Sequence, residues 1–422
     1  MVSITFFTER GEIGGNQILI EYSGEKLWFD FGISLSREKR YVTPIIESRQ
    51  LAKVDLAKLS KDLRLIPPPE LYNEGLKVLL THAHIDHYGG LLPLLEHGVE
   101  VEVYAPKDTL QLLYARMEVA NILSAKHPIK FLPLQEGIVK KIYGFEVVPI
   151  KVDHSIDAAY SYLILTEDGK TILYTGDYRF DLVNMVNILN SIKKHVDTVD
   201  CLITEFTSVQ YRSPLKETDV YKYMKDIAEK YSGFAVVFTT PSYTKRIEAI
   251  RMAFSEREVI VDSTYAYLLY KLGRRDLIDT VFISEKKQRL TSWEKEMIKK
   301  LPIIDESMIK TAQKYKVMII SPYHKLRLDF DFIPRSVSIV SLTEPFDEEG
   351  IISYKRLENY ILEQKRTPLY YIHASGHADP YEIAQFIQKL NPRSIFIIHS
   401  RSPETIKTLL PYRRNIIIPK YN

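Results

Sequence analysis

The stretch Thr81-His82-Ala83-His84-Ile85-Asp86-His87-Tyr88-Gly89-Gly90 places three imidazoles and a carboxylate within six residues, directly after the apolar run Leu76-Lys77-Val78-Leu79-Leu80. A short apolar run of this kind reads as a buried strand that delivers the chain to a tight turn at its C-terminal end. His82 and His84, one residue apart, then point the same way. Neutral imidazole and carboxylate are the nitrogen and oxygen donors that Zn2+ takes at neutral pH. The alternative is a polar loop that happens to be rich in histidine. With 11 histidines in 422 residues, three of them interleaved with Asp86 argue for a metal site instead.

One such cluster supplies about half of a two-metal site, so further donors are expected at other strand ends. Asp30 follows Lys26-Leu27-Trp28-Phe29, His154 stands in Val152-Asp153-His154-Ser155, and Asp177 lies in Tyr174-Thr175-Gly176-Asp177-Tyr178. Taken singly, each reads as a turn residue or a satisfied polar group. Their order behind the histidine cluster makes the joint reading stronger. Further along, Val199-Asp200-Cys201-Leu202-Ile203-Thr204 runs into Glu205-Phe206-Thr207. Pro368-Leu369-Tyr370-Tyr371-Ile372 runs into His373-Ala374-Ser375-Gly376-His377, and Ser394-Ile395-Phe396-Ile397-Ile398 into His399-Ser400.

The spacing of His82, His84, Asp86 and His87 resembles the HxHxDH signature of the metallo-β-lactamase superfamily. The later sites resemble motifs A, B and C of its β-CASP branch, with Glu205 as motif A, His377 as motif B and His399 as motif C. The resemblance implies an α/β fold: a metallo-β-lactamase αββα sandwich with an inserted β-CASP domain, itself a mainly parallel sheet flanked by helices. It implies two Zn2+ ions, with Mn2+ or Mg2+ as substitutes. His82, His84 and His154 would hold one ion, Asp86, His87 and His399 the other, and Asp177 would bridge them, while Asp30 braces the HxHxDH loop from behind. Asp86, His377 and Glu205 carry the expected catalysis. A metal-activated water attacks a phosphodiester, His377 protonates the leaving 3′ oxygen, and Glu205 holds His377.

His373, Ser375 and Gly376 would line a pocket for a terminal phosphate, because the HASGH wording resembles the RNase J type more than the eukaryotic 3′-end endonucleases. In Thr239-Thr240-Pro241-Ser242-Tyr243-Thr244-Lys245-Arg246, hydroxyls and cations gather at a strand-to-helix turn, and Arg246 is the first choice there for a phosphate contact. The run Lys286-Lys287-Gln288-Arg289 reads as solvated surface.

Composition sets the frame. A 45% hydrophobic content in a chain of this length is ample for two cores. Cys201 is the lone cysteine, so no disulfide forms within the chain. The segment Met1-Val2-Ser3-Ile4-Thr5-Phe6-Phe7 lacks the basic and apolar regions of a secretion signal, and no long apolar run would span a membrane. A cytoplasmic location is expected. The net charge of +3 is mild, so a polyanion groove would have to come from local placement of Lys and Arg.

The ligand motifs group residues 1–205 as the first part of the lactamase domain and 361–422 as its C-terminal return. Between them, 206–360 alternates strand and helix: helices near Leu215 to Tyr231, Thr244 to Phe254 and Tyr265 to Leu272, strands near Phe234 to Thr240, Glu258 to Asp262, Lys316 to Ser321 and Ser336 to Leu342. Two departures from the RNase J pattern stand out. Ser321-Pro322-Tyr323-His324-Lys325 replaces a TGSQGE-like loop, and the long C-terminal domain of that pattern is not expected after Ile416-Ile417-Ile418-Pro419.

The expectation is therefore a binuclear zinc ribonuclease acting on single-stranded RNA as a 5′-to-3′ exonuclease of the RNase J type. A 3′-end-processing endoribonuclease is the close alternative, and a small-molecule esterase or lactonase a more distant one. Single-stranded DNA as a substrate and a homodimer are left open; no membrane partner is expected.

Overall fold

The computed structural model describes residues 2–7, 11–34, 54–120, 129–181, 183–209, 215–284, 289–311, 316–321, 336–343, 348–412 and 415–420. They form two compact units, Met1–Arg212 together with Gly376–Asn422, and Ser213–Ser375.

The first unit is built on two sheets. In one, Ser3–Phe6, Gln17–Tyr22 and Glu25–Phe31 run antiparallel, and Leu76–Leu79, Val101–Pro106 and Ile129–Leu134 continue from Glu25–Phe31 in parallel. In the other, Ile416–Ile417, Ser394–Ile398, Cys201–Glu205 and Thr171–Tyr174 are parallel, and Ala159–Thr166, Phe145–Val152 and Lys140–Ile142 complete it antiparallel.

Alternating side chains bind the two sheets face to face. Ile18, Ile20, Leu27 and Phe29 from the first meet Val147, Tyr162, Ile164 and Ile203 from the second in one core. The outer face of the second sheet buries Val148, Leu163 and Leu202 against Ile188 and Ile192 of helix Met185–Lys193 and Ile383, Phe386 and Ile387 of helix Pro380–Leu390. Both helices carry apolar residues three and four apart, which is why one face of each is buried. Helices Leu91–Glu96 and Lys107–Val119 pack beside strand Val101–Pro106 of the first sheet. The layers are thus helix, sheet, sheet, helix, the αββα sandwich expected from the motifs.

The second unit holds a seven-stranded sheet in the order Ile303–Ile304, Thr280–Phe282, Glu258–Asp262, Lys316–Ile320, Phe234–Phe238, Ser336–Val340, Leu369–Tyr371, with every pairing parallel. Phe234-Ala235-Val236-Val237-Phe238 is buried throughout, as a strand covered on both faces must be. Its neighbours match the expected strands to within one or two residues. The chain returns to the first unit at Gly376, later than the expected 361, because Leu369–Tyr371 pairs with Ser336–Val340 and so belongs to the parallel sheet. Among the described residues no helix is long and apolar enough to cross a membrane.

Candidate metal centre

Parallel strands end on one edge of a sheet, and that edge gathers the side chains that follow them. In the first unit Leu76–Leu79 leads into His82, Thr171–Tyr174 into Asp177, Cys201–Glu205 ends on Glu205, and Ser394–Ile398 leads into His399. Asp30 lies within the neighbouring strand Glu25–Phe31, and His154 follows Phe145–Val152. Asp30 and His399 adopt left-handed backbone, φ +50 for both. That costs roughly 1–2 kcal/mol for a residue with a Cβ, so the surrounding contacts must hold it.

Two groups of donor atoms result: His82, His84 and His154, and beside them Asp86, His87, Asp177 and His399. His84 Nδ1 lies 3.0 Å from His82 Nε2 and 3.2 Å from His154 Nε2. Asp177 Oδ2 is the common centre. It stands 4.0 Å from His82 Nε2, 3.8 Å from His154 Nε2, 3.3 Å from His87 Nε2 and 3.6 Å from His399 Nε2. Asp86 Oδ2 is 3.3 Å from His399 Nε2.

The far side of each ring shows which nitrogen faces the centre as a lone pair. His154 Nδ1 donates to the Gly376 carbonyl at 2.6 Å, and His87 Nδ1 to Asp30 Oδ2 at 2.7 Å. The Thr81 hydroxyl donates to Asp30 and receives His82 Nδ1 at 3.1 Å. Asp30 also accepts the Thr81 amide at 2.8 Å and the Tyr174 hydroxyl at 2.7 Å. Outer partners of this kind fix tautomer and ring orientation in metal sites. The inward atoms are then mostly acceptors crowded against acceptors. Buried Asp177 Oδ1 has no hydrogen-bond partner among the described residues, and His87 Nε2 lies 3.3 Å from Asp177 Oδ2. Facing lone pairs at these distances repel unless a cation lies between them, so the donor set fits divalent metal ions with nitrogen and oxygen preference.

Electrostatics follow the same division. Burial, reinforced by neighbouring imidazoles, holds His82 and His154 well below the usual histidine range; burial also takes His84 down to about 3. His87 is the opposite: burial alone would lower it, but Asp177, Asp30 and Asp86 raise it well above. For Asp86 and Asp177 burial would raise the carboxyl, and His87 and His399 more than offset it, leaving both lowered.

Glu205 is buried next to this centre. Its Oε1 accepts from His377 Nδ1 and from the Tyr178 amide, each at 2.9 Å. Burial opposes charge on His377, but the Glu205 carboxylate overcomes it and raises the imidazole to about 9. His377, His154 and Asp177 offer donor atoms within 4.8 Å of one another.

Not every expected contact is where the sequence put it. Arg246 is 3% exposed and its guanidinium forks onto Glu217, Nε to Oε2 at 2.7 Å and Nη2 to Oε1 at 2.5 Å. A buried cation needs a paired anion, and Arg246 has it in Glu217 of the second unit. His373 lies 3.4 Å from Arg246 Nη1 in that same unit, which ends at Ser375. Gly376 begins the return and serves His154: its carbonyl receives Nδ1, and a Cβ there would stand 2.3 Å from Ser155 Oγ and 3.1 Å from His154 Cε1. The run Lys286-Lys287-Gln288 and the loop after Ser321 lie outside the described residues.

Three contributors escaped the sequence reading. The hydroxyls of Thr81 and Thr207 contact His82 and His399 of the donor cluster. Gly14, with φ +79, lets the chain pass so close to Asp86 that a Cβ would meet its Oδ2 at 2.7 Å. Their signals are faint: a threonine preceding the histidine run, a threonine two places after Glu205, and a Gly14-Gly15 pair just before a strand.

Comparison with known proteins agrees with this geometry. Residues 54–239 match the family described as the beta-lactamase superfamily domain, and residues 365–407 the Zn-dependent metallo-hydrolase RNA specificity domain. Ribonuclease J of Pyrococcus abyssi is 27% identical over 172 residues, 40% of this chain and 36% of its own length. Ribonuclease J of Thermus thermophilus is 24% identical over 412 residues, 91% of this chain and 65% of its own. The DNA cross-link repair protein SNM1 of Arabidopsis thaliana is 28% identical over 206 residues, 47% of this chain and 39% of its own. The chain thus spans between about a third and two thirds of the length of these relatives. A crystal structure of a protein of unknown function from Enterococcus faecalis V583 superposes with a TM-score of 0.73 at 20% identity, covering 100% of this chain and 98% of that one, a likeness of fold. Both domain matches, the Ribonuclease J relatives and the motifs in order along the chain support a β-CASP, RNase J-like protein of the metallo-β-lactamase fold.

Proposed function

We propose that this chain is a binuclear metal-dependent ribonuclease that hydrolyses single-stranded RNA from a 5′ end in the manner of an exonuclease. His82, His84 and His154 would hold one divalent ion, Asp86, His87 and His399 the other, with Asp177 between them. Such a pair of ions activates water and neutralises charge on a phosphodiester. The protein's own residues do the rest. Asp30 and Thr81 keep the ligand rings in register, and Glu205 keeps His377 protonated and aimed. His377 gives its proton to the departing 3′ oxygen.

The observation that carries this reading is the Glu205–His377 pair beside the donor cluster, with His377 Nδ1 2.9 Å from Glu205 Oε1. A lactamase-fold esterase acting on a small acyl substrate gives no reason for that pair. The printed description of the 365–407 match supports RNA as the polymer. The exonuclease direction rests on the His373-Ala374-Ser375-Gly376-His377 wording as a seat for a terminal phosphate.

The test is digestion of three end-labelled RNAs, bearing a 5′ monophosphate, a 5′ triphosphate or a hairpin-blocked 5′ end, by protein loaded with Zn2+ or Mn2+. Mononucleotides released from the first alone are expected, with His377→Ala slower by about 10² or more. Internal cuts in all three would move the assignment to an endonuclease. Intact RNA throughout would sink the ribonuclease reading.

A further inference from the structure

Glu205 has a second arm. Its Oε2 accepts the Thr207 amide at 3.3 Å and also the Thr207 hydroxyl. That same hydroxyl oxygen lies 2.8 Å from His399 Nδ1 and 3.0 Å from the His399 carbonyl. A threonine hydroxyl has one proton to give and lone pairs to receive with. A carboxylate is a stronger acceptor than a neutral carbonyl, so the proton goes to Glu205 and a lone pair of Oγ1 faces His399. His399 must then carry its proton on Nδ1. The lone pair falls on Nε2, which stands 3.3 Å from Asp86 Oδ2 and 3.6 Å from Asp177 Oδ2.

His399 needs such a hold. Its backbone is left-handed, and it comes from a part of the chain 192 residues from Thr207. Burial at 2% exposure leaves no water to replace a lost acceptor at Nδ1.

We infer that Thr207 is a positioning residue: one hydroxyl ties the carboxylate beneath His377 to the ring of His399 and presets His399 as an Nε2 donor to the second ion. The inference rests on the two-ion reading proposed above. It makes the proton-donor arm and one metal arm depend on the same carboxylate, since His377 Nδ1 lies 2.9 Å from Glu205 Oε1 and 2.8 Å from Oε2, and Oε2 also accepts from Thr207.

Thr207→Val keeps shape and removes the hydroxyl; Thr207→Ser keeps the hydroxyl and removes a methyl. Equilibrium dialysis of metal-stripped protein against Zn2+ should show two bound ions for the wild type. For Thr207→Val one of the two should weaken about 10-fold or more, the range seen when an outer partner of a ligand is lost, and Thr207→Ser should bind like the wild type. Thr207→Ala repeats the test if the valine variant does not fold. Valine or alanine variants that bind both ions as the wild type does would overturn the inference while leaving the two-ion reading intact, as would a serine variant as weak as valine. A wild type binding fewer than two ions would instead sink the two-ion reading, and this inference with it.

Discussion

His84 and His377 are both half-buried imidazoles beside the same centre, and they answer to opposite forces. Burial takes His84 down to about 3, whereas contact with Glu205 overrides burial and lifts His377 to about 9. Under the proposed function the first, kept neutral, would serve as a metal donor and the second, charged, as a proton donor. Ions loaded beside His377 would draw its value down towards neutrality, where a donor works best. The sign of the pH response follows. A proton donor with a raised pKa is competent below that value and fails as pH rises through it. Glu205→Gln removes the charge that raises His377, so burial prevails. The alkaline limb of kcat/KM on 5′-monophosphorylated RNA should move down by about 1 to 3 pH units, and the plateau should fall. A limb that stays in place would show that Glu205 does not set the protonation of His377.

At the level of elements, the sequence was legible wherever a local pattern carried the information. HxHxDH after an apolar run, and Asp177, Glu205 and His399 each at the end of such a run, are local patterns, and the structure brings those side chains together. The parallel strands of the second unit read as continuous apolar runs. What stayed hidden depends on distant partners. Thr207 looks like an ordinary loop residue until His399 arrives beside it, and the bond between His154 Nδ1 and the Gly376 carbonyl joins residues far apart in sequence. The edge strand Leu369–Tyr371 would suit either unit by composition; only its pairing with Ser336–Val340 decides, which is why the return was expected too early.

The close approach at Gly376 is testable by itself. A Cβ there would stand 2.7 Å from Ser155 Cβ and 2.3 Å from its Oγ, so Gly376→Ala must displace the His154 turn. Overpacking of this kind costs about 1–3 kcal/mol, and the displaced ring should weaken binding of one ion. Ser155→Gly removes both clashing atoms, so the double variant should recover much of the lost Zn2+ affinity measured by dialysis. If the double variant is no better than Gly376→Ala alone, the steric account fails.

For the whole molecule the consequence is a metal-free protein poised between two kinds of histidine. His82, His84 and His154 have lowered values in the folded chain, so below the ordinary histidine pKa of about 6.5 the unfolded chain binds more protons and stability falls as pH drops. The lowered carboxyls of Asp86 and Asp177 act in the same direction at lower pH. His87 and His377 have raised values, so above about 6.5 the folded chain holds protons that the unfolded chain has lost, and stability falls as pH rises through their folded values. Melts of chelator-treated protein should therefore peak near pH 6.5. Loading ions removes the second penalty, because metal at His87 must displace the proton that Asp177, Asp30 and Asp86 keep there. Binding thus releases protons and tightens as pH rises. At free metal 100-fold above Kd each site adds about 2.7 kcal/mol. The melting temperature gained on adding Zn2+ should accordingly grow between pH 6 and 8, read by paired thermal scans of stripped and loaded protein. A gain that is constant across that range would mean that His87 does not change protonation on binding.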